Sequence, residues 1–198
     1  MKLTLMALAP QRRIPISIHR PGRITGDAFN GVCNTDDFLF RMLKGCIQLE
    51  AYPRLEWEEK CAPVDFTAEA IVHISKQGQS LIGGASGTGR NFHLIDRHSF
   101  KWCDMFHWVS QRTTVREVQY SEWEELLNSL GQDVGPKNAM FALRPLLAAV
   151  GPENSMPSFD CGNTFKMLDG SGITCPSMDQ FLLNKYMDRQ LEWFVEPC

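Results

Sequence analysis

Apolar and polar positions along this chain change period several times, and the changes mark its elements. Ile14, Ile16 and Ile18 alternate with Pro15 and Ser17 in a β-branched run that ends at His19, the period of a strand. Arg20-Pro21-Gly22 predicts its stop, because proline removes a ladder donor and glycine frees the backbone. A polar loop holding Gly26, Asn30 and Gly31 follows, and then a helix to about Glu50. Asn34 or Thr35 is placed to cap that helix. Asp36 and Asp37 then fall in its first turn, where the helix dipole favours negative charge.

Further along, Thr67–Ser75 reads as a short amphipathic helix after a turn at Val64-Asp65, with Asp65 as its cap or as a polar group of a site. Residues 76–90 form a polar, Gly-rich connection, and 91–95 a strand. Ser99–Ser110 carries Trp102, Met105, Phe106 and Val109 on one helical face. A strand at Val115–Gln119 leads into Ser121-x-x-Glu124, a capping box opening a helix to about Leu130. A helix from Pro136 or Lys137 reaches Val150 and is interrupted or bent at Pro145. Residues 151–176, rich in Gly, Pro, Ser and Asn, are expected to wrap the surface. Ser177-x-x-Gln180 opens the last helix, with Phe181, Leu182, Tyr186, Leu191 and Phe194 as its apolar side. Strands alternating with helices define an α/β class, helices dominating the C-terminal half.

Composition narrows the function classes. The 198 residues are 43% hydrophobic and 22% charged, which supports a packed core and argues against disorder. A net charge of −3 argues against nucleic acid or an anionic membrane as partner. The start MKLTLMALAPQRR imitates a signal peptide, but its apolar core is only Leu3–Ala9 and it reads as the remains of a helix. No apolar run approaches the roughly 20 residues of a membrane span. Seven cysteines without a C-x-x-C pair suit reduced thiols in the cytoplasm better than disulfides or zinc. Cys46 reads as core and Cys33, in the loop before Asn34, as the more exposed thiol. The five histidines form no metal-ligand spacing, so no metal is expected.

Residues 14–53 carry the strongest identifying signal. Arg20-Pro21-Gly22-Arg23-Ile24-Thr25-Gly26-Asp27, Asn34-Thr35-Asp36-Asp37-Phe38-Leu39 and Lys44-Gly45-Cys46-Ile47-Gln48-Leu49 resemble the thioester reductase domains that terminate nonribosomal peptide synthetases, polyketide–peptide hybrid synthases and aminoadipate reductases. These are extended short-chain dehydrogenases. Weaker agreement follows at Pro63–Phe66, at 91–95 and at Tyr120–Trp123. The resemblance covers most of this chain but only the C-terminal part of the family's domain. It implies a truncated extended short-chain-dehydrogenase-like α/β fold: one domain over 1–198, with 1–95 a sheet remnant carrying the pocket loop. The remainder, 96–198, would be the mainly helical lobe that receives a carrier-bound acyl or peptidyl chain.

The resemblance also implies an absence. A reductase of this family needs an N-terminal Gly-rich turn for the dinucleotide and a Tyr-x-x-x-Lys pair for proton transfer. Here Tyr52, Tyr120 and Tyr186 are followed four residues on by Glu56, Glu124 and Gln190. By the same resemblance the chain starts inside the catalytic helix, with Met1-Lys2 near the place of the lysine. Gly83–Gly89 has the G-x-x-x-G-x-G spacing of a cofactor loop, but only Ser80–Ile82 precedes it and a strand follows. A pyrophosphate cradle needs a buried strand before it and a helix after it, so this is expected to be a surface loop. No cofactor is expected, and the chain alone is not expected to reduce a thioester.

Ligands of α/β folds gather beyond the carboxyl ends of strands. The resemblance puts the end of the Ile14–His19 strand and its RPG loop beside nicotinamide and substrate. His19, Arg20, Arg23, Asp27, Asp36 and Asp37 are therefore the candidate catalytic groups, the arginines as anion or oxyanion donors and the aspartates as their partners. Asn34, Thr35 and Asp65 are the candidate substrate-binding groups. The structural alternative is that these groups only cap helices and pair with one another. Three functions fit: a cofactor-independent protein acting on a polyketide or polyketide–peptide intermediate by cyclisation or isomerisation, a module that binds a carrier protein or synthase, and an inactive piece of an NADPH-dependent reductase. The first is the expectation, together with a homodimer that covers strands lacking sheet neighbours.

Overall fold

The computed structural model describes residues 16–80, 90–130, 137–151 and 158–190, with 192 and 194. The expected strand start at Ile14, the N-terminal stretch, the Gly83–Gly89 loop, Pro136 and Leu191 lie outside them. In chain order the elements are β1 (Ser17–Pro21), β2 (Arg23–Thr25), α1 (Phe38–Gln48), β3 (Ala51–Pro53), β4 (Glu58–Glu59), β5 (Cys61–Pro63), α2 (Val64–Ser80), β6 (Arg90–Leu94), β7 (Phe100–Lys101), α3 (Trp102–Ser110), β8 (Arg116–Val118), α4 (Tyr120–Ser129), a 3-10 turn (Phe141–Leu143), α5 (Arg144–Val150), α6 (Gly162–Leu168) and α7 (Gln180–Arg189). The class is α/β, with short parallel strand pairs among helices. Among the described residues no helix is long and apolar enough to cross a membrane.

The chain divides into two compact units. The first takes Met1–Thr25, Lys60–Arg97 and Pro157–Ser177. In it β1 runs parallel to β6, with Ser17 opposite Arg90 and Pro21 opposite Leu94, and β2 runs parallel to β5. Its core joins Ala62, Phe66, Ala70, Ile74, Phe92, Leu94 and Leu168. Expectation and structure differ at three places here. First, β1 continues through Arg20 and Pro21 instead of stopping there. A proline is tolerated at an open strand edge, and the Leu94 carbonyl accepts from the Gly22 N–H at 3.3 Å. Second, α2 starts directly after β5, so Asp65 lies in its first turn instead of capping it, and the helix runs on to Ser80. Third, residues 151–176 do not simply wrap the surface. They contain α6, whose Thr164 and Leu168 are buried.

The second unit takes Gly26–Glu59, His98–Met156 and Met178–Cys198. Here β3 runs parallel to β8 and β4 antiparallel to β7. The core is helical and aromatic. Leu39, Phe40, Met42, Leu43 and Cys46 of α1 are buried, as are Trp102, Met105, Phe106 and Val109, the face expected of α3. Tyr52 stacks on Phe106 with centroids 5.0 Å apart, and Trp57 meets Trp102 edge-on. The Lys44–Leu49 motif has a packing reason. A Cβ on Gly45 would lie 2.7 Å from Met140, the Gly45 carbonyl accepts from Asn138 Nδ2, and Gln48 Oε1 accepts from the Ala139 N–H.

Helix starts in this unit are displaced from those expected. Asp37 caps α1, accepting from the Leu39 N–H at 2.9 Å, so neither Asn34 nor Thr35 is the cap and no acidic residue occupies the first turn. Gln119 precedes α4 in extended backbone, which leaves Ser121 inside the helix and the expected capping box unformed. Asp179, not Ser177, caps α7 by accepting from the Leu182 N–H. In each case the cap is the last residue in extended backbone, set by where the preceding segment ends. Pro145 sits in the first turn of α5, where its missing N–H costs nothing, so of the two expected outcomes the helical stretch is interrupted there and not bent. Leu182, Tyr186 and Phe194 are buried as expected, but Phe181 is 73% exposed.

Candidate functional site

The carboxyl end of the β1–β6 pair concentrates polar chemistry in the first unit. The pleat sends His19 and Arg20 to opposite faces of β1, so these two candidates do not converge. His19 stacks on Phe92 at 5.5 Å, and its Nε2 lies 2.9 Å from Ser17 Oγ. Its Nδ1 is buried without a partner, and burial holds its pKa below the ordinary 6.5. Burial thus disfavours the charged form of His19, and one ring nitrogen is left unused.

On the other face Arg20 Nη1 lies 3.4 Å from Nε2 of His93, which stands opposite it in the register. A guanidinium has only donors, so this nitrogen must accept and the proton of His93 resides on Nδ1. That proton is given to the Asp160 carbonyl at 2.9 Å. Phe159 packs against the ring, and Thr164 Oγ1 donates to the His93 carbonyl. Asn91 lies on the same face two residues earlier, its Oδ1 buried and unpartnered. This face thus carries a cationic donor at Arg20 and, one pleat repeat back opposite Ile18, an unused buried acceptor. His93, Asn91 and Asp160 were not expected from the sequence; a register pairing positions 20 and 93 is what makes them visible.

Arg23 stands on β2 opposite Cys61, half-buried. Asp65 occupies the first turn of α2. Burial, then Asp96, then Asp65 push the Cys175 thiol up to about 12, so that sulfur stays protonated and is no nucleophile.

The remaining candidates lie in the second unit, where the side chains of Asp27, Asn34 and Asp37 each hold their own turn. Asp27 Oδ1 accepts from the N–H groups of Phe29 and Asn30, and Oδ2 from Asn30 Nδ2. The backbone N–H of Asn30, first among these bonds, holds the Asp27 carboxyl below its usual range. The loop is tied down by Tyr186, whose hydroxyl donates to the Gly26 carbonyl, and by Lys185, which donates to the Ala28 carbonyl. Gly31 needs its φ of +75° and its missing Cβ, which would lie 2.7 Å from the Lys185 carbonyl. Asn34 Oδ1 accepts from the Asp36 N–H in an Asx turn, Asp36 is exposed, Thr35 is half-buried and Asp37 caps α1. Burial and Asp37 push the half-buried Cys33 thiol up to about 11, opposite to what a nucleophile needs.

Comparison with known proteins agrees with the residues that carry the resemblance. The family model described as Male sterility protein matches residues 4–71. A non-canonical nonribosomal peptide synthetase of Aspergillus hancockii is 30% identical over 197 residues, covering 89% of this chain and 18% of that protein. An isonitrile lipopeptide synthase of Streptomyces coeruleorubidus is 30% identical over 196 residues, covering 93% of this chain and 12% of that protein. The terminal R domain from the myxalamid biosynthetic pathway superposes with a TM-score of 0.79 at 28% identity, over 99% of this chain and 49% of that one. The chain is thioester reductase-like, with the α/β fold of the reductase domains of such synthases. It spans about half of that solved domain and less than a fifth of these curated relatives.

Proposed function

We propose that the chain acts in secondary metabolism on a polyketide or polyketide–peptide intermediate by a mass-neutral, non-redox step, a cyclisation or an isomerisation. The observation that carries this reading is Arg20, held by His93 at the carboxyl end of a parallel strand pair. A guanidinium fixed there suits a developing carbonyl oxyanion, and Asn91 Oδ1 suits a substrate hydroxyl or amide N–H. A carrier protein of a synthase is the proposed source of the substrate, and a homodimer the proposed assembly. The test is incubation with the released product of the candidate synthase, followed by mass spectrometry. Conversion to an isomer of unchanged mass is expected. Recovery of the product unchanged under all conditions would remove the proposal.

A second reading is favoured by one observation: nearly the whole chain superposes on half of a terminal R domain. In that reading the chain is the substrate-side portion of an NADPH-dependent reductase. Conversion of the product separates the two, since an inactive portion of a reductase predicts none. Neither predicts saturable heat with NADPH up to millimolar concentration in calorimetry; saturable binding would overturn the truncated-lobe reading and bring the Gly83–Gly89 loop back as a phosphate site. Light scattering at high concentration checks the assembly, with a strict monomer excluding the homodimer.

A further inference from the structure

A cleft of about 490 Å³ lies between α4 and α5, wholly within the second unit. Trp123, Leu127 and Leu147, all buried, give it an apolar floor. Its two walls are tied by Tyr120, whose hydroxyl donates to the Leu147 carbonyl at 3.1 Å. Glu124 stands one turn after Tyr120 on α4, and Arg144 one turn before Leu147 at the start of α5. Both line the cleft, and both are half-buried. The Arg144 guanidinium lies over the Phe141 ring, 4.7 Å from its centroid. Burial, and then the Glu124 charge, push the Tyr120 hydroxyl above its ordinary pKa. Among the described residues neither Glu124 nor Arg144 enters an ion pair, with each other or with a third group.

We propose that this cleft binds a free α-amino acid with a large apolar side chain. Its carboxylate meets Arg144, its ammonium meets Glu124, and its side chain rests on Trp123, Leu127 and Leu147. A guanidinium stacked on a ring is held flat, which suits the two oxygens of a carboxylate. Two opposite charges that line one cleft without reaching each other match a zwitterion. A plain hydrocarbon would strip water from both and pair neither, and an anion or a cation alone would satisfy only one. An apolar floor with a few polar groups, at this volume, is the usual make-up of a small-molecule site. The inference rests on the second unit alone and does not depend on the reaction proposed above.

The probe is L-leucine, titrated into the full chain at low salt and followed by backbone amide NMR. Saturable shifts confined to 120–128 and 141–148 are expected. N-acetyl-leucine, which lacks the ammonium, and leucinamide, which lacks the carboxylate, should each bind about tenfold more weakly, as loss of one charge-assisted contact does. Glu124→Gln should weaken leucine by about tenfold and leave N-acetyl-leucine unchanged. Arg144→Gln should weaken leucine to the same extent and leave leucinamide unchanged. An unchanged melting temperature verifies the fold of each variant, and the three ligands test the parent chain without any substitution. Equal affinity for leucine and its two blocked forms, shifts elsewhere, or no saturation at high millimolar leucine would overturn the proposal. So would concentration-dependent shifts at these residues without leucine, because a second copy of the chain would then cover the cleft.

Discussion

Residues 20–23 and residues 26–37 are neighbours in sequence and carry equally specific motifs, yet the fold uses them in opposite ways. In the second stretch nearly every polar group closes on a residue within three positions: Asp27 on Asn30, Asn34 on Asp36, Asp37 on Leu39. In the first, Arg20 is placed by a histidine 73 residues away. Resemblance to a family marks both alike, but Arg20 meets a side chain of the neighbouring strand, whereas the Asp27 and Asp37 carboxylates hold their own turns, Asp27 with Lys185 also acting on it. A motif aspartate that accepts two or three backbone N–H bonds is already explained by the turn it holds.

Substitutions can break this contrast. Arg20→Ala should lower conversion by about a hundredfold or more, the usual consequence of losing one oxyanion donor, while the melting temperature stays within a few degrees. Equal losses of activity and stability would return Arg20 to a structural role. Gly31→Ala should cost about 3 kcal/mol in chemical denaturation, since it adds a left-handed backbone penalty to a contact with the Lys185 carbonyl. Asp37→Ala should cost about 1 kcal/mol as a lost cap, whereas Asp37→Asn, which still caps, should leave stability and conversion close to those of the parent. Loss of conversion in Asp37→Asn alone would give that carboxylate a chemical role after all.

The smallest effect expected is on pH dependence. His19 has its pKa lowered by burial, so the unfolded chain takes up its proton first as pH falls. Its stabilising contribution is complete above 6.5 and is lost as pH drops from there through the folded value. Asp27, also lowered, acts in the same sense below the ordinary carboxylate value of 3.8. Denaturation curves between pH 7 and 5 should therefore show falling stability, and His19→Phe, which keeps a ring against Phe92, should flatten the slope. An unchanged slope would mean that the imidazole takes up its proton alike in the folded and the unfolded chain.

How much was legible follows the same division. The α1, α3 and α7 helices, the strand at Arg90–Leu94 and the α/β class can be read from periodicity, because each buries one face. Their caps were missed by a few residues, since the end of the preceding extended backbone decides them and several Asx or Ser residues compete. β3 escaped notice, being three residues long and buried throughout. Of the candidate site, Arg20 was legible through the resemblance. His93, Asn91 and Asp160 were not, because nothing near position 20 signals which distant strand will lie beside it.

The parallel pairing of β1 with β6 also orders events in time. Such a pair has no hairpin to nucleate it, and the chain between the partners must close a loop of some seventy residues before Arg20 and His93 meet. The Asp27 turn and the α1 cap need only local closure, which is faster by orders of magnitude. During refolding, the turn and the cap should form early while the Arg20 guanidinium remains bathed in water. The molecule thus gains its shape in one region well before the Arg20–His93 pair forms in the other.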